Sequence, residues 1–330
     1  MIVTVTPNPS IDRTVSLPGA LVRGGVHRVT SILEQPGGKG VNISRACVAA
    51  EVPTLAVLPV AEDDPFVRDL DAHGVPCLPV APAGPMRVNL TVTEPDGTTT
   101  KLNTSGPTST IDDLEALAAA VLAGPAGDWV VLAGSLPPGA PDEWYAELVA
   151  RLLAAGRAVA VDTSEAALVA VVDALAPGRA PSLLKPNAEE LAAVVGVDPV
   201  ALEGDVMQVA AAARTLVDRG VGAVLATLGG AGAVLVDATG AWHAVPPPTR
   251  VVSTVGAGDA SLFGYLRADL QGRSAPERLA EAVAYGSAAA SLPGTTVPTP
   301  TDVRTAEVRI RSLDAASSDT TTEGIPSWQN

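Results

Sequence analysis

Continuous apolar runs of strand length, each followed by a helical stretch, recur along most of this chain. Trp129-Val-Val-Leu-Ala133 leads through Gly134-Ser-Leu-Pro-Pro-Gly139 into a helix near Glu143 to Ala155. Ala158-Val-Ala-Val-Asp162 follows with another helix, then Ser182-Leu-Leu-Lys185 with a helix from Glu189 to Val194. A further helix from Val206 to Arg219 precedes a strand from Ala223 to Thr227. Strands that are apolar throughout have both faces covered, and strands joined through helices run parallel. The pattern predicts an α/β fold with a mostly parallel sheet between helices, and ligands beyond the carboxyl ends of its strands.

Two segments break the alternation. Residues from about 13 to 35 and from about 86 to 103 are rich in β-branched residues, with period-two stretches such as Arg87-Val-Asn-Leu-Thr-Val-Thr93. Pro95-Asp-Gly97 sits between two strand-like runs as a hairpin turn. These segments predict a small β-sheet inserted as a lid. One domain is expected over residues 1–311, and the polar tail over 312–330 is expected to be disordered.

A net charge of −15 argues against a nucleic-acid surface, and it makes each cation beside a ligand motif informative. His27, His73 and His243 show no zinc spacing, while Cys47 and Cys77 form no disulfide framework and suit a reducing cytosol. The apolar runs fall short of a membrane span, and Met1-Ile-Val-Thr-Val-Thr6 reads as a strand with no signal sequence. A cytoplasmic protein with neither nucleic-acid nor membrane partners is expected.

Ser253-Thr-Val-Gly-Ala-Gly-Asp-Ala260 joins a β-branched run to a helical stretch from Ser261 to Gln271. Free amides of Gly256, Ala257 and Gly258 at a helix N-terminus suit phosphate. Asp259 beside them would repel phosphate, so a base that takes a proton from an incoming hydroxyl explains it better. Asp in a first helical turn is also favoured by the helix dipole alone. Pro36-Gly-Gly-Lys-Gly-Val-Asn42 is a second glycine turn before a helix, with Lys39 and Asn42 suited to a polyhydroxylated or phosphorylated ligand. It lacks the Walker A spacing, and no G-x-G-x-x-G follows the first strand as a Rossmann dehydrogenase requires.

Four motifs in order, Thr6-Pro-Asn-Pro-Ser-Ile-Asp12, Gly37-Gly-Lys-Gly-Val-Asn42, Lys185-Pro-Asn-Ala-Glu-Glu190 and Gly256-Ala-Gly-Asp259, resemble those of the PfkB (ribokinase-like) carbohydrate kinases. The resemblance covers roughly residues 1 to 300 and is closest to the branch of 1-phosphofructokinases and tagatose-6-phosphate kinases. It implies a three-layer α/β/α sandwich with a small β-sheet lid, a homodimer paired through the lids, ATP, Mg²⁺ and possible K⁺ activation. It also implies that fructose 1-phosphate is phosphorylated to fructose 1,6-bisphosphate, with tagatose 6-phosphate and fructose 6-phosphate as alternative acceptors. A non-catalytic sugar-phosphate sensor is the alternative of another class, although a sensor needs no base.

The resemblance assigns Asp259 as base and the Gly256, Ala257 and Gly258 amides as anion hole. Asp12, Gly37, Gly38, Lys39, Asn42, Arg87 and Ser135 would hold the sugar phosphate. Lys185, Asn187, Gly258 and the segment Thr227, Leu228, Gly229, Gly230, Ala231, Gly232 would hold ATP, with Glu190 on Mg²⁺ through water. From the residues alone, the Thr227 to Gly232 segment equally suits a hairpin turn, and Asn187 with Glu190 equally suits a helix capping box. Asp12 could likewise be a turn former.

Overall fold

The computed structural model describes residues 1–314 except 203. The tail expected beyond residue 314 lies outside the described residues. In chain order the strands are β1 (Ile2–Val5), β2 (Ser10–Ser16), β3 (Ser31–Gly37), β4 (Thr54–Pro59), β5 (Cys77–Val80), β6 (Arg87–Thr93) and β7 (Thr99–Asn103). They continue with β8 (Trp129–Ala133), β9 (Ala158–Asp162), β10 (Leu183–Leu184), β11 (Ala223–Thr227), β12 (Ala233–Asp237), β13 (Gly240–Val245) and β14 (Arg309–Ser312). The helices are α1 (Lys39–Ala49), α2 (Pro65–Ala72), α3 (Ile111–Ala123), α4 (Trp144–Ala154) and α5 (Glu165–Asp173). Then come α6 (Ala188–Val195), α7 (Pro199–Leu202), α8 (Val206–Asp218), α9 (Ala257–Leu270) and α10 (Ala275–Ala290).

Ten strands form one sheet in the order β14-β13-β12-β11-β10-β9-β8-β1-β4-β5. The strands from β11 to β5 in that order run parallel, and β12, β13 and β14 add an antiparallel edge. Both faces are covered, as the apolar strands require. Leu114, Leu148, Leu168, Leu191 and Leu216 bring α3, α4, α5, α6 and α8 onto one face. Ile43, Phe263 and Leu279 bring α1, α9 and α10 onto the other. The order turns back beside β1, where the chain leaves for β4 and β5 and later returns to β8, so a crevice opens at the carboxyl ends there.

The second sheet has the order β3-β2-β6-β7, with β2 parallel to β6 and antiparallel to β3. The expected hairpin around Pro95-Asp-Gly97 joins β6 to β7, closed by a Glu94–Thr98 backbone bond of 2.9 Å. The sheet begins at Ser10 rather than near residue 13, because Ser10 already pairs with Gly37 of β3 and Arg87 of β6. Register sorts its faces: Ser10, Asp12, Arg87 and Asn89 share one, whereas Val15, Leu90, Ile32 and Leu102 share the other with the Arg13–Glu34 ion pair.

Ser312, expected to open the tail, instead ends β14 opposite Trp242, and the Leu313 amide donates to the Ala241 carbonyl at 2.8 Å. Among the described residues no helix is long and apolar enough to cross a membrane.

Candidate active site

The crevice is a cavity of about 480 Å³ between the carboxyl edge of the large sheet and the polar face of the small one. From the small sheet come Asp12, Arg87 and Asn89. Asp12 Oδ1 accepts from Ser10 Oγ at 2.9 Å and from Asn89 Nδ2 at 3.0 Å, which fixes the carboxylate and leaves Oδ2 for a ligand. Gly37 does not line the cavity; a Cβ there would fall 2.3 Å from the Asp12 carboxyl carbon, so this glycine makes room for Asp12. Arg87 Nε is buried with no hydrogen-bond partner among the described residues. Asp12 is the nearby counter-charge, but no carboxylate pairs directly with the guanidinium, which therefore suits an anion. Ser135 enters from the loop after β8, within 3.5 Å of Asn8 Nδ2.

From the large sheet come Asp162, the last residue of β9, and Lys185, just beyond β10. Asp162 is fully buried and takes Lys39 Nζ on Oδ1 at 2.6 Å and Lys185 Nζ near Oδ2 at 3.1 Å. Burial alone would push Asp162 up, but Lys185 and Lys39 hold it below the ordinary carboxylate range. Burial likewise pushes Lys39 down, and the charge and hydrogen bond of Asp162 outweigh it, so its net shift is upward. Lys39 lines the cavity, and the one Asp162 carboxylate between Lys39 and Lys185 leaves a net positive charge there.

The reacting corner is the start of α9. Gly256 is its N-cap with φ of 78°, and Asp259 lies in the first turn, 7% exposed. Asn42, expected to touch substrate, donates from Nδ2 to Asp259 Oδ2 at 2.8 Å, fixing the carboxylate. Burial, reinforced by the nearby charge of Asp162, pushes Asp259 up to about 6, against the opposing bond from Asn42. The Ala257 amide meets the Thr254 carbonyl at 3.4 Å, so it is only a weak member of the expected anion hole. The Gly256 and Gly258 amides of the expected set, and the Asp259 amide besides, have no acceptor among the described residues, at a helix N-terminus that favours negative charge.

A second cavity, of about 590 Å³, meets the first at Asn187, Thr227 and Gly258. Gly229, Gly230 and Gly232 form one side of it. They belong to a turn joining antiparallel β11 and β12, so the same segment is both a hairpin and a cavity wall. Leu228 and Ala231 do not line it: Leu228 packs on the core, and the Ala231 carbonyl meets His243 Nε2 at 2.9 Å. Asn187 and Glu190 do form a capping box on α6, with Glu190 Oε2 accepting from the Asn187 amide at 2.8 Å. Glu190 also lines the first cavity, within the charge field of Lys39. Among the described residues no three carboxylate, His or Cys side chains cluster as a metal cage. Glu190 suits a hard cation that keeps its own waters and bound phosphates.

Three features escaped the sequence reading. Asp162 ends an apolar strand like any turn residue, and its partner Lys39 lies 123 residues away. Asn89 was legible as the partner of Arg87 in an Arg-x-Asn pair that favours a phosphosugar, but not its hold on Asp12. The far wall of the second cavity, formed by Pro246, Pro247, Pro248 and the α10 face at Val283, carries no motif.

Residues 6–302 match the pfkB family of carbohydrate kinases. A 1-phosphofructokinase of Rhodobacter capsulatus is 38% identical over 293 residues, covering 87% of this chain and 90% of its own. The 1-phosphofructokinase of Escherichia coli K12 is 33% identical over 293 residues, covering 88% and 91%. The phosphofructokinase-2 of Escherichia coli, solved in complex with substrates and products, superposes with a TM-score of 0.83 at 31% identity, covering 91% of this chain and 96% of that one. A ribokinase of Thermotoga maritima, 19% identical and covering 92% of this chain and 97% of its own, shares the fold with a TM-score of 0.69.

Proposed function

The chain belongs to the pfkB family of carbohydrate kinases, and from that premise we propose that it phosphorylates a sugar phosphate at a primary hydroxyl, with ATP as donor. Fructose 1-phosphate, converted to fructose 1,6-bisphosphate, is the preferred acceptor. The observation that supports this reading is a buried carboxylate, Asp259, lining the acceptor cavity next to Gly258, where the two cavities meet, with Arg87 in the same cavity and its Nε without a hydrogen-bond partner among the described residues.

In this reading the substrate's own phosphate pairs with Arg87, and Asp12 Oδ2 accepts from its ring or chain hydroxyls. Asp259 takes the proton of the reacting hydroxyl while its oxygen bonds to the γ-phosphorus and the β–γ bridging bond breaks, releasing ADP. The Gly258 and Asp259 amides stabilise charge on the transferring group, and Lys185 adds a positive charge behind it. Glu190 would hold Mg²⁺ through water, and the ion would supply charge neutralisation on the phosphates. The small sheet acts as a lid that excludes water as a competing acceptor.

A second acceptor, fructose 6-phosphate, is favoured by the likeness to the phosphofructokinase-2 of Escherichia coli, also solved in complex with fructose-6-phosphate. A coupled ADP-release assay with Mg-ATP, offered fructose 1-phosphate, fructose 6-phosphate, tagatose 6-phosphate, fructose and ribose in turn, separates the readings. A kcat/KM for fructose 1-phosphate higher by about tenfold or more, equivalent to about 1.4 kcal/mol of transition-state binding, is expected. Preference for a 6-phosphate keeps the mechanism and changes the acceptor, and ATP binding without any turnover overturns the kinase reading.

A further inference from the structure

One buried side-chain amide in the acceptor cavity has only its nitrogen satisfied. Asn8 lies between β1 and β2, where the chain leaves the large sheet for the small one, and is a 5% exposed part of the cavity wall. Its Nδ2 faces three oxygens: the Ser105 carbonyl at 3.2 Å, the Leu136 carbonyl at 3.3 Å and Ser135 Oγ at 3.5 Å. Carbonyls accept and never donate, so they fix which end of the amide is nitrogen and turn Oδ1 the other way. Oδ1 is buried with no partner among the described residues. A Cβ on Gly106 would fall 2.5 Å from Oδ1 and 3.5 Å from Arg87 Cδ, so the Asn8 oxygen and the Arg87 side chain flank one glycine. Gly106 has a φ of 93°, and any side chain there would close off the oxygen.

An acceptor buried without a donor is unfavourable, and a ligand that brings the donor recovers the loss. We infer that Asn8 is a specificity-determining residue, whose Oδ1 accepts from a hydroxyl on the sugar carbon next to the one bearing the Arg87-bound phosphate. This deepens the reading of fructose 1-phosphate as acceptor and rests on it. In the furanose ring of fructose 1-phosphate that carbon is C2, which carries a hydroxyl. In fructose 6-phosphate and tagatose 6-phosphate it is C5, which carries hydrogen instead and leaves Oδ1 unpaired. A site built around a substrate hydroxyl rejects the analogue without it far more strongly than an apolar pocket rejects a misfit.

The test measures kcat/KM, with Mg-ATP saturating, for fructose 1-phosphate and for 2,5-anhydro-D-mannitol 1-phosphate, which has hydrogen in place of the C2 hydroxyl. The unaltered enzyme is expected to favour fructose 1-phosphate by about tenfold or more. Near-equal values overturn the inference and leave the kinase reading intact, and this comparison stands whether or not a variant folds. Asn8→Ala is expected to cut the preference to within about threefold, with the KM for ATP unchanged. If Asn8 only braces the connections to the small sheet, the variant loses the same factor on both sugars and keeps the full preference, which overturns the inference. Turnover of fructose 6-phosphate without turnover of fructose 1-phosphate overturns the acceptor reading and the inference with it.

Discussion

Asp259 sits under opposed influences: the N-terminus of α9 and the bond from Asn42 favour its charge, while burial and Asp162 disfavour it. Burial wins, and its pKa rises from the ordinary 3.8 to about 6. The base must be deprotonated to act, so kcat/KM should climb with unit slope as pH rises and level off above about pH 6. A flat profile between about pH 5 and about pH 8 would exclude Asp259 as the base. The same shift has a stability sign. Between the unfolded value and about 6 the folded chain holds a proton that the unfolded chain has lost, so stability falls as pH rises through that window. Asp259→Asn removes the buried charge and keeps an acceptor for Asn42. The variant should lose about two to four orders of magnitude in turnover, bind ATP nearly as before and melt higher than wild type at neutral pH. A calorimetric scan with an equal or lower Tm would contradict the claim that the charge is held at a cost.

Each cavity has one wall set by a glycine that a neighbouring group crowds. A Cβ on Gly37 at the end of β3 would overlap the Asp12 carboxylate, and a Cβ on Gly232, whose φ is 92°, would lie 1.9 Å from the Ala244 carbonyl oxygen of β13. Gly37→Ala should therefore raise the KM for sugar phosphate several-fold with little change for ATP, and Gly232→Ala should do the reverse. Steady-state kinetics on both variants check it; equal effects on both substrates would mean that the two walls do not act separately. At this scale the sequence was legible wherever one physical signal had one meaning. The strands β8, β9 and β11 could be read because an apolar run covered on both faces leaves little else to form. Asn187 and Glu190 were ambiguous because the groups that cap a helix are also groups that face phosphate and metal, and in α6 the cap is made. The counter-charge of Lys39 could not be read because it is set by sheet order: the end of β9 lies across the cavity from the first turn of α1. No local spacing encodes that pairing, and the proline wall carries no charge or period by which to be noticed.

On the scale of the whole molecule, the small sheet is a two-faced element with only one face accounted for. Its polar face closes over the acceptor cavity through Asp12, Arg87 and Asn89. Its other face carries Ile32, 60% exposed, and Leu102, 58% exposed, in register with Val15 and Leu90. Scattered exposed apolar residues need no explanation, but two apolar pairs on one face, Ile32 beside Val15 and Leu102 beside Leu90, the latter row ending in the Arg13–Glu34 ion pair, cost solvation unless something covers them. A second copy of the same sheet is the cover we propose, since an isologous pairing sets like face against like face about a two-fold axis. Function then becomes tied to assembly, because the strands that would form the interface also carry Asp12 and Arg87 on their reverse side. The double variant Ile32→Asp, Leu102→Asp places charge in that face while leaving the large sheet untouched. Sedimentation should show a shift from dimer to monomer. The KM for sugar phosphate should rise several-fold, and ATP affinity, set by β11 to β13 and α9, should hold. A variant that becomes monomeric with unchanged sugar-phosphate KM would separate assembly from catalysis. A variant whose oligomeric state does not change would remove this face from the interface altogether.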